Sequence, residues 1–157
     1  MSQVYFVTGA SKGIGLSVVV EALKAGNYIA ASSRYAEKLQ AVVNEKVTTD
    51  ADHFLPIEMN FDEASIKSAV DKIIAKWGKL DVLVNNAGYA ILGAFEEFSI
   101  EEVKQNFDVN VFGLMEVTQA VYHTCVNSKV DTLLTWPLFQ EQLLVLVRQL
   151  IQQPKLL

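Results

Sequence analysis

The sequence predicts an α/β domain in which helices wind over both faces of a parallel sheet. Three observations carry that prediction: short, continuous apolar runs, stretches of helical apolar period between them, and a glycine-rich turn joining the first run to the first helix. Residues 4–7, Val4-Tyr5-Phe6-Val7, are apolar throughout, as a strand buried on both faces requires. From Ile14 the period is helical, with Val18, Val19, Ala22 and Leu23 inward, and Gly26 supplies a stop. Residues 28–32 form the second strand, and residues 37–45 a polar helix carrying Leu39, Val42 and Val43. Residues 53–57 are a third strand candidate, weakened by Pro56, which has no N–H to give a ladder. Asp62 and Ser65 are candidate caps for a helix whose apolar face is Ile66, Ala69, Val70, Ile73, Ile74 and Trp77, with Gly78 at its end. Residues 80–84 make the fourth strand. Ser99 and Glu102 have capping-box spacing for a long helix with Val103, Phe107, Leu114, Val117 and Val121 inward. Such alternation means βαβ units with right-handed crossovers.

Beyond Tyr122 the pattern changes. Asn127-Ser128-Lys129 is a turn candidate, residues 130–136 are a fifth strand candidate, and Pro137 opens a helix carrying Leu138, Leu143, Leu144, Val147, Leu150 and Ile151. Its run Leu143-Leu144-Val145-Leu146-Val147 is apolar nearly all round, and such a helix has to be buried in the domain or against a partner. The expected division is therefore a doubly wound α/β domain over 1–126 and a divergent tail over 127–157.

Length and composition narrow the functional classes. A chain of 157 residues makes one domain with room for a sizeable core, and 51% hydrophobic with 20% charged residues argues against disorder. The net charge of −5 gives no electrostatic footprint for nucleic acid or an anionic membrane. The single cysteine, Cys125, excludes an internal disulfide and suits a reducing compartment; it has no activating neighbour. No apolar run is long enough to cross a bilayer, and the chain enters its first strand with no room for a cleavable leader, so a cytoplasmic location is expected. His53 and His123 stand far apart without Cys or carboxylate at ligand spacing, so no metal site is expected. Glu96, Glu97, Glu101 and Glu102 read as a solvated helix entry favourable to the helix dipole.

The chemistry-bearing segments are three. Thr8-Gly9-Ala10-Ser11-Lys12-Gly13-Ile14-Gly15 leaves the first strand and opens the first helix. Gly9 permits a tight turn, Gly13 lets the backbone approach a pyrophosphate, Gly15 lets the helix lie near the strand, and the helix N-terminus offers N–H groups to the anion. Asn85-Asn86-Ala87-Gly88 follows the fourth strand, outside the carboxyl end of the sheet where ligands bind; alone, it reads as an ordinary Asn-Gly turn. Asn110 lies three residues after Phe107 and four before Leu114, hence on the apolar stripe, where an unpaired amide costs roughly 1–3 kcal/mol.

With these segments, the third being Phe107-Asp108-Val109-Asn110-Val111-Phe112-Gly113, the chain resembles the short-chain dehydrogenase/reductase family from about residue 3 to about residue 122. The resemblance implies a Rossmann-like doubly wound sheet, lacking part of its C-terminal half, and hydride transfer between NADP(H) and a carbonyl or alcohol. It places the cofactor against Thr8, Gly9, Ser11, Lys12, Gly13, Ile14 and Gly15, and against Asn86, Ala87 and Gly88, with Asn60 or Asp62 at the adenine. It makes Asn110 the asparagine that holds a water in a proton relay, while a core amide paired with backbone remains an equal reading. NAD-specific relatives usually carry an acid after the second strand. Here the segment is Ser32-Ser33-Arg34-Tyr35, with Arg34 placed to receive a 2′-phosphate and Ser33 and Lys12 as further donors, an NADP (NADPH) pattern.

The departure from the family lies in the catalytic pair. The family uses a serine at the end of the fifth strand and Tyr-x-x-x-Lys on the next helix, the lysine and the cofactor's charge lowering the phenol's pKa for proton exchange with the substrate oxygen. No tyrosine in this chain has a lysine four positions on: Tyr122 has Val126, and Tyr35 and Lys38 are three apart on the second helix. Thr135 stands near the serine's place only if 130–136 is a strand, and a core or surface role suits it better. Three readings follow. The chain is an NADP-dependent oxidoreductase, truncated and expected to be inactive or nearly so; a non-catalytic dinucleotide-binding or partner-binding module; or the product of a premature stop or unspliced transcript with no separate function. Without a fifth strand beside 80–84, an apolar edge would favour self-association through the helix at 99–122 and the tail helix.

Overall fold

The computed structural model describes residues 2–124 and 132–135. Its centre is a parallel five-stranded sheet in the order β3-β2-β1-β4-β5. The strands are β1 (Val4–Val7), β2 (Tyr28–Ser33), β3 (Phe54–Glu58), β4 (Val82–Asn85) and β5 (Thr132–Thr135). The helices are α1 (Gly13–Lys24), α2 (Ala36–Asn44), α3 (Glu63–Trp77), α4 (Ile100–Phe107) and α5 (Leu114–Thr124). The chain winds outward from β1 to β3, then crosses back over β1 to β4. That reversal opens a crevice at the carboxyl ends of β1 and β4, where such sheets hold their ligands.

The period of two along each strand divides the core into two layers. Phe6, Leu83 and Ala30 face α3 and α5, packing with Ile66, Ile73, Val117 and Val121. Val7, Ile29 and Val84 point the other way, onto Val19, Leu39 and Val43 of α1 and α2. Each fully buried side chain of this size contributes about 1.5–3 kcal/mol. Pro56 sits opposite Ala31 on β3, the outer strand of the described sheet, where its missing N–H breaks no second ladder.

Local signals set most element ends. Asp62 caps α3 by accepting the Ser65 N–H at 2.9 Å, so Ser65 lies inside the helix and is not its cap. Gly78 ends α3 in the left-handed conformation at φ 72°. Ser99 and Glu102 form the expected capping box: Ser99 Oγ accepts from the Glu102 N–H at 3.2 Å, and Glu102 Oε2 accepts from the Ser99 N–H at 2.9 Å.

The long helix expected after Ser99 is three pieces. Between α4 and α5 runs a π-helical turn, Asp108–Gly113. Leu114, Val117 and Val121 are buried as expected, but Phe107 is 50% exposed, and α4 buries no side chain. The wider π turn breaks the 3.6-residue phase, so the stripe on α5 does not continue into α4. The fifth strand does form, pairing with β4 from Val82↔Thr132 to Asn85↔Thr135, so β4 has a neighbour on each side. The turn at 127–129 and the helix expected from Pro137 lie outside the described residues. Among the described residues, no helix is long and apolar enough to cross a membrane.

Candidate functional site

β1 and β4 end side by side, Val7 opposite Val84, and the turns leaving them interlock. The Thr8 N–H donates to the Val84 carbonyl at 3.0 Å. Its hydroxyl oxygen, buried, accepts the N–H of Asn86 at 3.1 Å and of Ala87 at 3.0 Å. Asn86 Nδ2 in turn donates to the carbonyls of Thr8 and Gly9, each at 3.0 Å. On the other flank the Ala10 N–H donates to the Ser32 carbonyl of β2 at 2.9 Å. Gly9 has φ +65°, and a Cβ there would lie 2.6 Å from the Ala87 Cα, so no other residue fits this crossing. A Cβ on Gly15 would run into the Asn86 carboxamide. The two motifs, far apart in sequence, are thus one hydrogen-bonded unit.

Just beyond, α1 begins without a cap. Lys12, at the N-cap, is extended, makes no side-chain capping bond, and no carboxylate stands in the first turn. The first N–H groups of a helix need acceptors, and among the described residues no side chain provides one. A Cβ placed on Gly13 would meet nothing within 4 Å, so space lies open beside the start of α1. Ser11, Lys12, Gly13 and Ile14 line it as exposed residues, while Gly15 is buried. The donor set and the open cradle fit the pyrophosphate of a dinucleotide.

The end of β2 is different in kind. Ser33 Oγ donates to the Tyr35 carbonyl at 2.8 Å and accepts the Tyr35 N–H at 3.1 Å. Its hydroxyl proton is therefore committed, and Ser33 braces the backbone around Arg34 instead of offering a free donor. Arg34 and Lys12 are exposed, and neither enters an ion pair among the described residues. Beyond β3, Asn60 is exposed and its carbonyl accepts from Ser65 Oγ. The Ser65 N–H, with its hydroxyl second, holds the Asp62 carboxyl below its usual range, leaving it an ionised acceptor at the start of α3. Asn60 and Asp62 thus both stand at the carboxyl end of β3.

Asn110, half-buried in the π turn, spends its amide on backbone. Its Oδ1 accepts the Tyr89 N–H at 3.0 Å, and its Nδ2 donates to the Tyr89 carbonyl at 2.8 Å and to Asn106 Oδ1 at 3.2 Å. Asn106 Nδ2 donates to the same carbonyl at 2.7 Å. These two carboxamides clamp the loop that follows Asn86, Ala87 and Gly88. Asn106 was missed in the sequence, although its spacing of four from Asn110 signals a shared helix face. Asn85 is buried; its Nδ2 donates to Thr118 Oγ1 at 3.0 Å, while its Oδ1 has no partner among the described residues. Another contact without sequence signal is Phe61 against Gly113, where a Cβ would collide with the ring. Thr135 stands opposite Asn85 at the carboxyl end of β5. Among the described residues no three His, Cys, Asp or Glu side chains gather as metal ligands.

Comparison with known proteins assigns this arrangement. Residues 3–131 match the family described as short chain dehydrogenase. The chain is 31% identical over 122 residues to the oxidoreductase BOA17 of Botryotinia fuckeliana, an alignment covering 77% of this chain and 43% of that protein. A short-chain dehydrogenase from Streptomyces avermitilis superposes with a TM-score of 0.76 at 30% identity, covering 85% of this chain and 48% of the other. ElxO, solved with NADP bound, superposes with a TM-score of 0.77 at 26% identity, covering 86% of this chain and 55% of the other. The chain therefore spans about half the length of the proteins it matches, over the half that builds the crevice between β1 and β4. By its glycine turn, its Asn85–Gly88 turn and the match across most of its length, the chain belongs to the short-chain dehydrogenase family.

Proposed function

We propose that this chain binds NADP(H) in preference to NAD(H) and does not by itself catalyse hydride transfer. The observation that carries the reading is the end of β2, where Arg34 stands exposed in place of an acid and has no carboxylate partner among the described residues. An acid there would accept the ribose hydroxyls of NAD and repel a 2′-phosphate, whereas a guanidinium matches the phosphate with paired donors. The likeness to ElxO, which was solved with NADP bound, supports the same choice.

Bound NADP(H) would supply or accept the hydride. The chain's own residues hold it in this reading. The unit of Thr8, Gly9 and Asn86 keeps the turn rigid, and the open amides from Ser11 to Gly15 take the pyrophosphate. Exposed Ile14 and the Ala87-Gly88 backbone border the path toward the nicotinamide, with Asn110 fixing the loop that follows. Arg34 and Lys12 face the 2′-phosphate, Ser33 fixes the backbone between β2 and Tyr35, and Asn60 and Asp62 border the adenine. The binding unit is residues 1–126.

Catalysis requires a proton donor at the substrate oxygen. None of the five tyrosines in the sequence has a lysine four positions on, so no phenol here is tuned by a lysine at the family's spacing. The lost general-acid term is typically worth about 10²–10⁴-fold. Asn110 does not replace it, because an amide neither takes nor gives a proton near neutral pH.

Calorimetric titration with NADPH and NADH tests the reading. Saturable NADPH binding, tighter than NADH and without oxidation of NADPH by added carbonyl compounds, is the expected result. Folded protein that binds neither dinucleotide, or that prefers NADH, would overturn it.

A further inference from the structure

One carboxamide, that of Asn106, makes contacts that the cofactor reading does not use. Asn106 stands in the last turn of α4, a helix that buries no side chain. Asparagine is a mediocre helix former, and α4 gives it no packing role in return. Its Nδ2 instead donates to the Tyr89 carbonyl at 2.7 Å, and its Oδ1 accepts from Asn110 Nδ2 at 3.2 Å.

The tethered segment has little else to hold it. Residues 88–92 form no helix or strand, and among the described residues no backbone–backbone hydrogen bond includes them. Just before them, the N–H groups of Asn86 and Ala87 are fixed on the Thr8 hydroxyl. At Tyr89 both backbone polar groups are fixed by side chains, the N–H by Asn110 Oδ1 and the carbonyl by the Nδ2 groups of Asn110 and Asn106. Gly88 lies against this clamp, since a Cβ there would be 3.1 Å from Asn110 Oδ1. The hydrogen bonds fix how both amides are turned. The Tyr89 N–H demands Asn110 Oδ1, which turns Asn110 Nδ2 toward the carbonyl and Asn106 Oδ1, and leaves Asn106 Nδ2 as the second donor.

Sheet order says what would lie over this backbone. With the pyrophosphate at the start of α1 and the adenosine toward the ends of β2 and β3, the other nucleoside falls on the opposite side, over the end of β4. Residues 87–89 leave that end. We infer that Asn106 is a positioning residue for the nicotinamide half of the cofactor. It acts without touching the ligand: by holding the Tyr89 carbonyl and the Asn110 carboxamide, it keeps the backbone of residues 87–89 where that half lies. The inference rests on the dinucleotide reading and deepens it, by giving the exposed α4 a part in binding.

The test is calorimetric titration of the full chain with NADPH and with adenosine 2′,5′-bisphosphate, which has the same adenosine end and no nicotinamide, alongside thermal melts. Wild-type protein is expected to bind NADPH more tightly than the bisphosphate. In Asn106→Ala the NADPH affinity falls about fivefold, the scale of one neutral hydrogen bond, while the bisphosphate binds as it does to wild type. Asn106→Asp is isosteric and keeps the acceptor for Asn110, but it sets a carboxylate against the Tyr89 carbonyl, so its loss for NADPH is at least as large. A merely structural role lowers the melting temperature and weakens both ligands by one factor. That result, or NADPH binding unchanged in both variants, refutes the role of Asn106 and leaves the cofactor reading standing. Wild-type protein that binds NADPH no more tightly than the bisphosphate has no use for a held nicotinamide, and also overturns the inference. Folded wild-type protein that binds neither ligand removes the cofactor reading, and this inference with it.

Discussion

Where β1 meets β4, polar atoms of the two turns are paired with one another around the buried Thr8 hydroxyl. At the end of β2, the charged groups are exposed and carry no ion pair among the described residues. The first region makes its own hydrogen bonds and needs no ligand to be stable. The second has its backbone braced by Ser33 but leaves its cations uncompensated. The difference separates two tasks: the interlocked turns shape the cradle common to any dinucleotide, and the open cationic end is where one dinucleotide is chosen over another.

The comparison is broken most severely at Gly9. Gly9→Ala puts a Cβ against the Ala87 backbone at a positive φ, and a loss of about 2–4 kcal/mol in unfolding free energy is expected, with dinucleotide binding lost in parallel. Denaturant unfolding followed by calorimetry measures both; an undisturbed midpoint would show that the two turns do not depend on their close approach. Asn86→Ala removes two donors from the carbonyls of Thr8 and Gly9, and roughly 1–3 kcal/mol is expected to follow, read as a lower denaturant midpoint at unchanged slope.

Arg34→Leu probes the other region and should behave in the opposite way. Stability is expected to stay within about 0.5 kcal/mol, while NADPH affinity falls by about tenfold or more and NADH affinity does not. A drop of similar size for both dinucleotides would erase the distinction between a cradle and a selector.

The smallest expected effect concerns acid. Asp62 and Glu102 are held below their usual range chiefly by the N–H groups of Ser65 and Ser99, and Asp50 chiefly by the His53 side chain. A carboxylate whose folded pKa is depressed contributes stability that is complete above its unfolded pKa and lost as pH falls through its folded one. The melting temperature should therefore slip below about pH 4, modestly, since all three groups are exposed. Asp62→Asn keeps a capping acceptor but cannot titrate, and should flatten that decline; an unchanged pH profile would mean that the cap is electrostatically silent.

Much of this architecture is legible locally. Asp62 and the Ser99–Glu102 box announce their helices because a cap acts within three residues, and Gly78 announces an end because few other residues reach its conformation. The three central apolar runs, at β1, β2 and β4, are readable because burial on both faces demands them. Phe107 is the instructive failure: its spacing from Leu114 is helical in the sequence, but the π turn between them rotates it into solvent. Nothing local distinguishes Asp108–Gly113 from a regular helix; the turn coincides with the clamping of Tyr89 by Asn106 and Asn110, residues 17 and 21 positions away.

The sequence by itself determined the order of strands and helices, the glycine turn, the absence of a Tyr-x-x-x-Lys pair and the basic residue after β2. These follow from residue type and short-range spacing. Only the tertiary structure decided that Asn86 locks Thr8 and Gly9 across 78 and 77 positions, that Ser33 is committed to Tyr35, and that Lys38 lies over the Tyr35 ring. The reason is physical: a hydrogen bond between two turns exists only after the sheet has brought β1 beside β4, and a flexible side chain has no fixed place until its neighbours define one.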